Sequence, residues 1–202
     1  PSGDDGVERY AHDLLHTPPP GRALVIGTDD HRVFPILFVQ QVRGQAPDVL
    51  YVDASLLSQP WYREHLRARW PELPEIDKPV ALIGALWSDP AWADTPILLA
   101  NVFSRPASQL PVVPYGLLWR VLPPHDRQVT PQRVIDDHLA ALARYGTPPA
   151  PASAPAHPWT ADLHAAYHEG TERLLAALRA EGRDAERRAL LDALGPWRPP
   201  SR

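Results

Sequence analysis

The sequence predicts an α/β fold in which a mainly parallel sheet is flanked by helices and followed by a helical hairpin. Two apolar runs, residues 23–27 and 48–53, have strand length and lack the alternation of polar side chains expected at a solvated face. Such runs are typical of strands covered on both faces, as in a parallel sheet. Segments of helix length follow both runs after short links, and this order is the signature of βαβ units.

The remaining elements are predicted from periodicity, glycine and proline. A short helix over residues 7–15 precedes the first strand, and Gly44 ends the helix that follows it. Pro60 suits the first turn of the next helix. The full prediction is of helices at 7–15, 33–42, 60–70 and 131–145, with strands at 23–27, 48–53, 79–84, 96–103 and 117–122.

Composition divides the chain into an α/β domain (1–146), a Pro/Ala-rich linker (147–158) and a helical tail (159–202). The prolines of the linker favour an extended, semi-rigid chain. In the tail, apolar spacing predicts two helices joined at Gly182. This αα-hairpin has two interpretations, a docking helix pair or a tetratricopeptide-like repeat of about 34 residues.

Length, charge and residue usage limit the possible classes of protein. At 202 residues with a formal charge of -4, the chain has no basic block, and we expect no nucleic-acid partner. It contains no cysteine, which excludes disulfides and thiolate chemistry. It also contains no methionine and begins at Pro1, so we expect a fragment or a processed form. No apolar run approaches the roughly 20 residues needed to cross a bilayer.

Polar residues follow the first predicted strand, at the position where α/β sheets bind ligands. Asp29, Asp30 and His31 form this turn. The two carboxylates suit Mg²⁺ or Mn²⁺, and one of them, with His31 as partner, suits a general base. Aspartate in this position is also a common cap for the helix that comes next. Capping, ligand or metal contact, and catalysis all remain open.

An aromatic pair, Trp61 and Tyr62, opens the third predicted helix. Flat rings suit the faces of pyranose sugars, although adjacent aromatics more often belong to the core.

Two histidine-containing segments lie in the later helices. His164 and His168 have the spacing of a chelating pair, but a solvated helix face has the same pattern. Residues 136–138, Asp-Asp-His, are predicted to be surface residues.

No phosphate-binding loop, nucleophile elbow or HExxH motif occurs. The sequence therefore assigns no catalytic residue, no metal ligand set and no cofactor. Asp29, Asp30, His31, Trp61 and Tyr62 are the candidate ligand-binding residues.

Several phrases occur in an order that resembles one bacterial family. They are ALVIGTDDHRVFP (23–35), QQVRG (40–44), PDVLYVDASLL (47–57), PWY (60–62) and PYGLLWRVLP (114–123). The family is the large group of polytopic membrane proteins related to transmembrane protein O-mannosyltransferases. The resemblance covers residues 8–70 well and 95–140 loosely.

The resemblance implies a parent protein whose membrane-embedded half is a C-type glycosyltransferase using a lipid-linked sugar. This chain would be its extracytoplasmic, or periplasmic, carboxyl-terminal domain, and the membrane-embedded half of the same polypeptide would be a partner. In this family tetratricopeptide repeats often follow the domain, which agrees with the predicted tail.

Two functional hypotheses follow. In the first, the chain is a non-catalytic domain that binds an acceptor protein or glycan for a membrane glycosyltransferase. In the second, it is a free-standing α/β enzyme that acts on a phosphate or nucleotide-sugar substrate, with a divalent metal at Asp29 and Asp30.

Overall fold

A five-stranded mixed sheet forms the centre of the computed structural model, which describes residues 5–28, 30–101, 110–126, 129–146 and 158–199. The strands are β1 (Ala23–Gly27), β2 (Val49–Asp53), β3 (Ile97–Leu99), β4 (Val112–Tyr115) and β5 (Leu118–Val121). They lie in the order β2-β1-β3-β5-β4. β1 is parallel to β2 and β3, whereas β5 is antiparallel to β3 and β4. The α/β class is confirmed, and three strands pair in parallel as predicted.

Helices cover both faces of this sheet, as the continuous apolar strands predict. The helices are α1 (Asp5–His16), α2 (Asp30–Leu37), α3 (Pro60–Arg69), α4 (Pro79–Ser88), α5 (Pro131–Leu142), α6 (Pro158–Ala180) and α7 (Asp184–Ala193). Along a strand, successive side chains enter two separate apolar clusters: Val25 belongs to the cluster that includes residues of α1, α2, α5, α6 and α7, while Leu24 belongs to the cluster that includes residues of α3 and α4. A π-helical turn, Phe38–Val42, continues α2. In the described ranges, no helix has the length and apolar character of a membrane span.

The strand predicted at residues 79–84 is wrong, because this segment is the start of α4. Pro79 occupies the first turn, where its missing N–H costs nothing. Leu82, Ile83 and Leu86 are all buried against the sheet. A helix that is apolar around most of its surface shows the same continuous pattern as a buried strand.

β4 was not predicted, because Pro114 interrupts its apolar run. The strand lies at the outer edge of the sheet, where a missing N–H is tolerated. It pairs with β5 across a tight turn at Gly116, which has a φ of 59°. This hairpin accounts for the antiparallel side of the sheet.

The helical tail packs against the rest of the chain. The Tyr167 hydroxyl on α6 donates to the buried carboxylate of Asp13 on α1 over 2.9 Å. Leu163, Leu174 and Leu190 belong to the same apolar cluster as α1 and α5. The linker prediction at 147–158 falls almost wholly outside the described residues.

His138 is fully buried, which corrects the prediction that it is a surface residue. Burial lowers its pKa from 6.5 to about 4, so the ring is neutral. Its Nδ1 accepts the N–H of Gly116 at 3.1 Å, and its Nε2 therefore donates to the Thr171 hydroxyl at 2.9 Å. This one side chain joins α5, the β4–β5 turn and α6.

Candidate functional site

The carboxyl ends of β1 and β3 form the first candidate site. From β1 the chain crosses to β2 on one side, and later to β3 on the other, so this is a topological switch point. Thr28 follows β1, and Asn101 lies just beyond β3. Asn101 is buried, and its Oδ1 accepts the Thr28 N–H at 3.3 Å while its Nδ2 donates to the Thr28 hydroxyl at 3.1 Å. These bonds tie the two strand ends together.

The predicted acidic turn lies beside this switch point in sequence. Asp29 lies outside the described residues, and so do the side chains of Asp30 and His31. The backbone shows that α2 begins at Asp30, three residues earlier than predicted. Helix capping and metal binding at the turn therefore both stay predictions.

Asp53 ends β2 at the same edge of the sheet, and the sequence analysis did not single it out. Its carboxylate is buried, and Oδ1 accepts from the Ser55 N–H at 2.9 Å and from the Ser55 hydroxyl at 2.6 Å. An Asp-x-Ser sequence after an apolar strand is a signal for this local turn. The bonds shape the connection to α3.

Trp61 and Tyr62 are adjacent in sequence but have different environments. Tyr62 is buried, its hydroxyl accepts the Asp53 N–H at 2.8 Å, and burial raises its pKa to about 12. Trp61 is 58% exposed, and its ring meets that of Tyr62 edge-to-face at 5.7 Å. The core interpretation thus describes Tyr62, and Trp61 presents an indole to solvent.

Trp61 lines a groove of about 250 Å³ beside β2, the outermost strand on this side of the described sheet. We call it the α2–α3 groove. Its floor includes Leu50 and Tyr51 of β2, and its walls include Leu37, Gln40, Gln41, Trp61, Tyr62, His65 and Arg69. Both residues of the predicted aromatic pair therefore line this groove together with polar side chains.

Gln40 is a site residue that the sequence analysis missed. Its Nε2 donates to the carbonyl oxygens of Val49 at 2.8 Å and Ala46 at 3.2 Å. These two bonds fix the orientation of the amide, and its Oε1 is buried with no hydrogen-bond partner in the described part of the chain. A glutamine within an otherwise apolar stretch, residues 36–39 and 42, is the available sequence signal.

Three apolar side chains extend the surface next to this groove. Phe34, Phe38 and Val42 are 66%, 41% and 68% exposed and recur every four residues. On a helix this spacing places them on one side, beside the groove residues Leu37 and Gln41. We call these three residues the apolar strip. Clustered exposed apolar side chains commonly mark interaction surfaces.

A second cavity, of about 280 Å³, lies near the start of β3 and is lined by Trp87, Trp92 and Arg120. The Arg120 guanidinium is already engaged, at 3.1 Å from Asp137 and 3.5 Å from Asp126. No pattern in the sequence indicated a role for this region.

The candidate chelating pair of α6 is partly buried. The ring centroids of His164 and His168 are 5.6 Å apart. His168 is 7% exposed, and burial, followed by the charge of His164, lowers its pKa. Because His168 is buried, the solvated-face interpretation does not describe it. The described residues contain no group of three or more potential ligands that would hold a metal.

Comparisons with family models, curated proteins and solved structures found no match to this chain.

Proposed function

We propose that this chain is a recognition domain that binds an acceptor protein or glycan at the α2–α3 groove. In keeping with the sequence resemblance, its setting would be the extracytoplasmic side of a bacterial membrane glycosyltransferase-like protein. The membrane-embedded half of that protein would perform the transfer reaction.

The observation that carries this proposal is the exposed indole of Trp61 at a mainly apolar groove that carries a few polar side chains. The indole is 58% exposed, so a large apolar surface stays in contact with water after folding. Ligand sites combine such surfaces with a few placed polar groups. Gln41, His65 and Arg69 supply polar groups on both walls of this groove.

Three polar side chains of the groove have structural roles, which supports binding rather than catalysis. Gln40, Tyr62 and Arg69 all hydrogen-bond to backbone groups of the segment from Ala46 to Asp53. They hold the groove in shape. General acid–base catalysis would instead need side chains that are free to exchange protons with the reacting groups of a substrate.

The apolar strip supports a protein acceptor alongside a glycan. Phe34, Phe38 and Val42 continue the surface away from the groove. A glycan attached to a polypeptide would then contact Trp61, while apolar side chains of the polypeptide contact the strip.

The test is a binding screen of the purified chain against immobilised glycans and glycopeptides. We expect Trp61→Ala to weaken binding strongly and Trp61→Phe, which keeps a flat ring, to weaken it less. Phe38→Ser should weaken binding of glycopeptides but not of free glycans. If no ligand binds, or if Trp61→Ala binds as well as the wild type, the proposal fails.

An enzyme at the switch point is the second candidate, favoured by the polar Thr28–Asn101 pair at the carboxyl ends of β1 and β3. Asp29 and Asp30 would supply the ligands for a divalent metal. Incubation with nucleotide sugars and Mg²⁺ or Mn²⁺ tests it directly: turnover that is lost in Asp29→Ala would establish the enzyme and displace the recognition domain.

We infer that the carboxyl-terminal hairpin is a docking helix pair rather than a tetratricopeptide-like repeat. The support is that its apolar side chains, with Tyr167 and Thr171, are already packed against α1 and α5. A repeat would keep such a face for its next copy.

A further inference from the structure

From the geometry of the α2–α3 groove, we infer that its ligand is an acidic oligosaccharide. One pyranose ring would stack on Trp61, and a hexuronate carboxylate would bind Arg69. This inference rests on the proposed function and names the class of glycan that the same groove selects.

An extended peptide is a poor fit, because side chains already occupy both ends of the outer edge of β2. Gln40 Nε2 holds the Val49 carbonyl at 2.8 Å, and the Tyr62 hydroxyl holds the Asp53 N–H at 2.8 Å. A peptide that adds to a sheet edge needs these backbone groups for its own ladder. The blocked edge therefore favours a ligand recognised by its rings and substituents.

The groove wall on α3 has the form of a stripe. Trp61, His65 and Arg69 are spaced four residues apart, so they share one side of the helix, and all three line the groove. At about 1.5 Å per residue, the stripe extends roughly 12 Å along the helix axis. Its length suits a short oligosaccharide, with a ring at the Trp61 end and a polar group at the Arg69 end.

The charge of the residues that line the groove indicates the charge of the ligand. Among the described residues that line the groove, Arg69 is the one arginine or lysine, and none carries a carboxylate. One of its nitrogens, Nη2, donates to the Pro47 carbonyl at 3.0 Å, which fixes the position of the guanidinium. The other N–H groups form a planar fork that matches a carboxylate. A uronate is therefore favoured over a neutral hexose of the same shape.

The experiment compares a hexuronate oligosaccharide with its carboxyl-reduced form, which differs only in the charged group. Both are titrated against the wild type, Arg69→Gln, Arg67→Gln and Trp61→Ala, with binding measured by calorimetry at low and high salt. Arg67→Gln is the matched control: it removes the same charge from α3, but Arg67 pairs with Glu75 at 2.9 Å and lies outside the groove lining. Glutamine at position 69 keeps a donor for the Pro47 carbonyl.

We expect the wild type to bind the acidic form about fivefold more tightly at low salt, as for an exposed ion pair. The preference should weaken at high salt, disappear in Arg69→Gln and persist in Arg67→Gln. Trp61→Ala should weaken both ligands alike. Equal binding of the two ligands, or a preference that survives in Arg69→Gln, would overturn the inference and leave the proposed function intact. If neither form binds, the inference is overturned, and the screen of glycans and glycopeptides then decides whether the proposed function stands.

Discussion

At the scale of single residues, Trp61 and Tyr62 illustrate what sequence can predict about this site. Their side chains were expected to act together, either in the core or on a sugar. In the structure Tyr62 holds the Asp53 N–H, whereas Trp61 faces solvent. Consecutive residues on a helix point about 100° apart, so both rarely face the same surroundings. Which of the two is buried depends on where β2 lies, and local sequence does not contain that information.

Substitution of the pair should separate their roles. Tyr62→Phe leaves the buried Asp53 N–H without an acceptor and should lower the free energy of unfolding by about 1–3 kcal/mol. Trp61→Ala changes a mostly exposed side chain and should change it by only about 0.5 kcal/mol. Urea unfolding of both variants and the wild type measures the difference. Equal effects of the two substitutions would show that the environments have been assigned incorrectly.

His138 should make stability depend on pH. Its pKa is 6.5 in an unfolded chain and about 4 in the fold, so between these values only the unfolded chain takes up a proton. The free energy of unfolding should therefore fall as the pH drops from 6.5 towards 4, by roughly 3 kcal/mol in total from this residue. His168, whose pKa is also lowered, contributes in the same direction.

A matched variant isolates this contribution. His138→Gln keeps an acceptor for the Gly116 N–H and a donor for Thr171 but does not titrate. Unfolding measured at several pH values should show a shallower slope for the variant than for the wild type. Identical slopes would mean that His138 does not carry the effect.

At the scale of elements, the sequence predicts those whose pattern has one physical interpretation. β1, α3, α5 and α7 fall where periodicity, proline and glycine placed them. The prediction of a strand at residues 79–84 was wrong because continuous apolar character fits either a buried helix or a buried strand. β4 was not predicted because a proline such as Pro114 is acceptable only on an edge strand. Which strand lies at the edge depends on the tertiary fold and not on local sequence.

The start of α2 gives a prediction at this scale. Because the helix begins at Asp30, Asp29 comes directly before it in the sequence, and the orphan N–H groups and dipole of a helix favour an anion at that position. Asp29→Ala should then lower the free energy of unfolding by about 0.5–2 kcal/mol, with or without metal. Thermal melts of the wild type, Asp29→Ala and Asp30→Ala in the presence and absence of Mg²⁺ and Mn²⁺ measure it. If neither variant melts lower and metal raises the melting temperature of the wild type alone, the turn binds a metal instead.

At the scale of the whole molecule, the tail and the α/β layers share buried polar contacts. Tyr167 meets Asp13, and Thr171 meets His138, although more than 30 residues separate each pair in sequence. Amphipathic periodicity predicted the two tail helices but not the surface that they cover. That surface is set by polar residues whose pairing only the fold reveals.

These contacts predict that the tail and the sheet unfold together. Backbone amides of α6 near Tyr167 should exchange with solvent as slowly as those of β1, because opening either one disrupts the same apolar cluster. Hydrogen exchange followed by mass spectrometry resolves the two segments. Fast exchange throughout α6 beside a protected β1 would show that the tail is an independent unit.

Mapping of ligand-induced NMR shifts tests whether a ligand binds at the α2–α3 groove. On addition of an oligosaccharide identified in the binding screen, we expect the signals of Trp61, Gln41 and His65 to shift and saturate together. Signals of Thr28 and Asn101 at the switch point should stay in place. Shifts that gather at Thr28 and Asn101 and leave Trp61 unchanged would contradict the account and place the functional site at the carboxyl edge of the sheet.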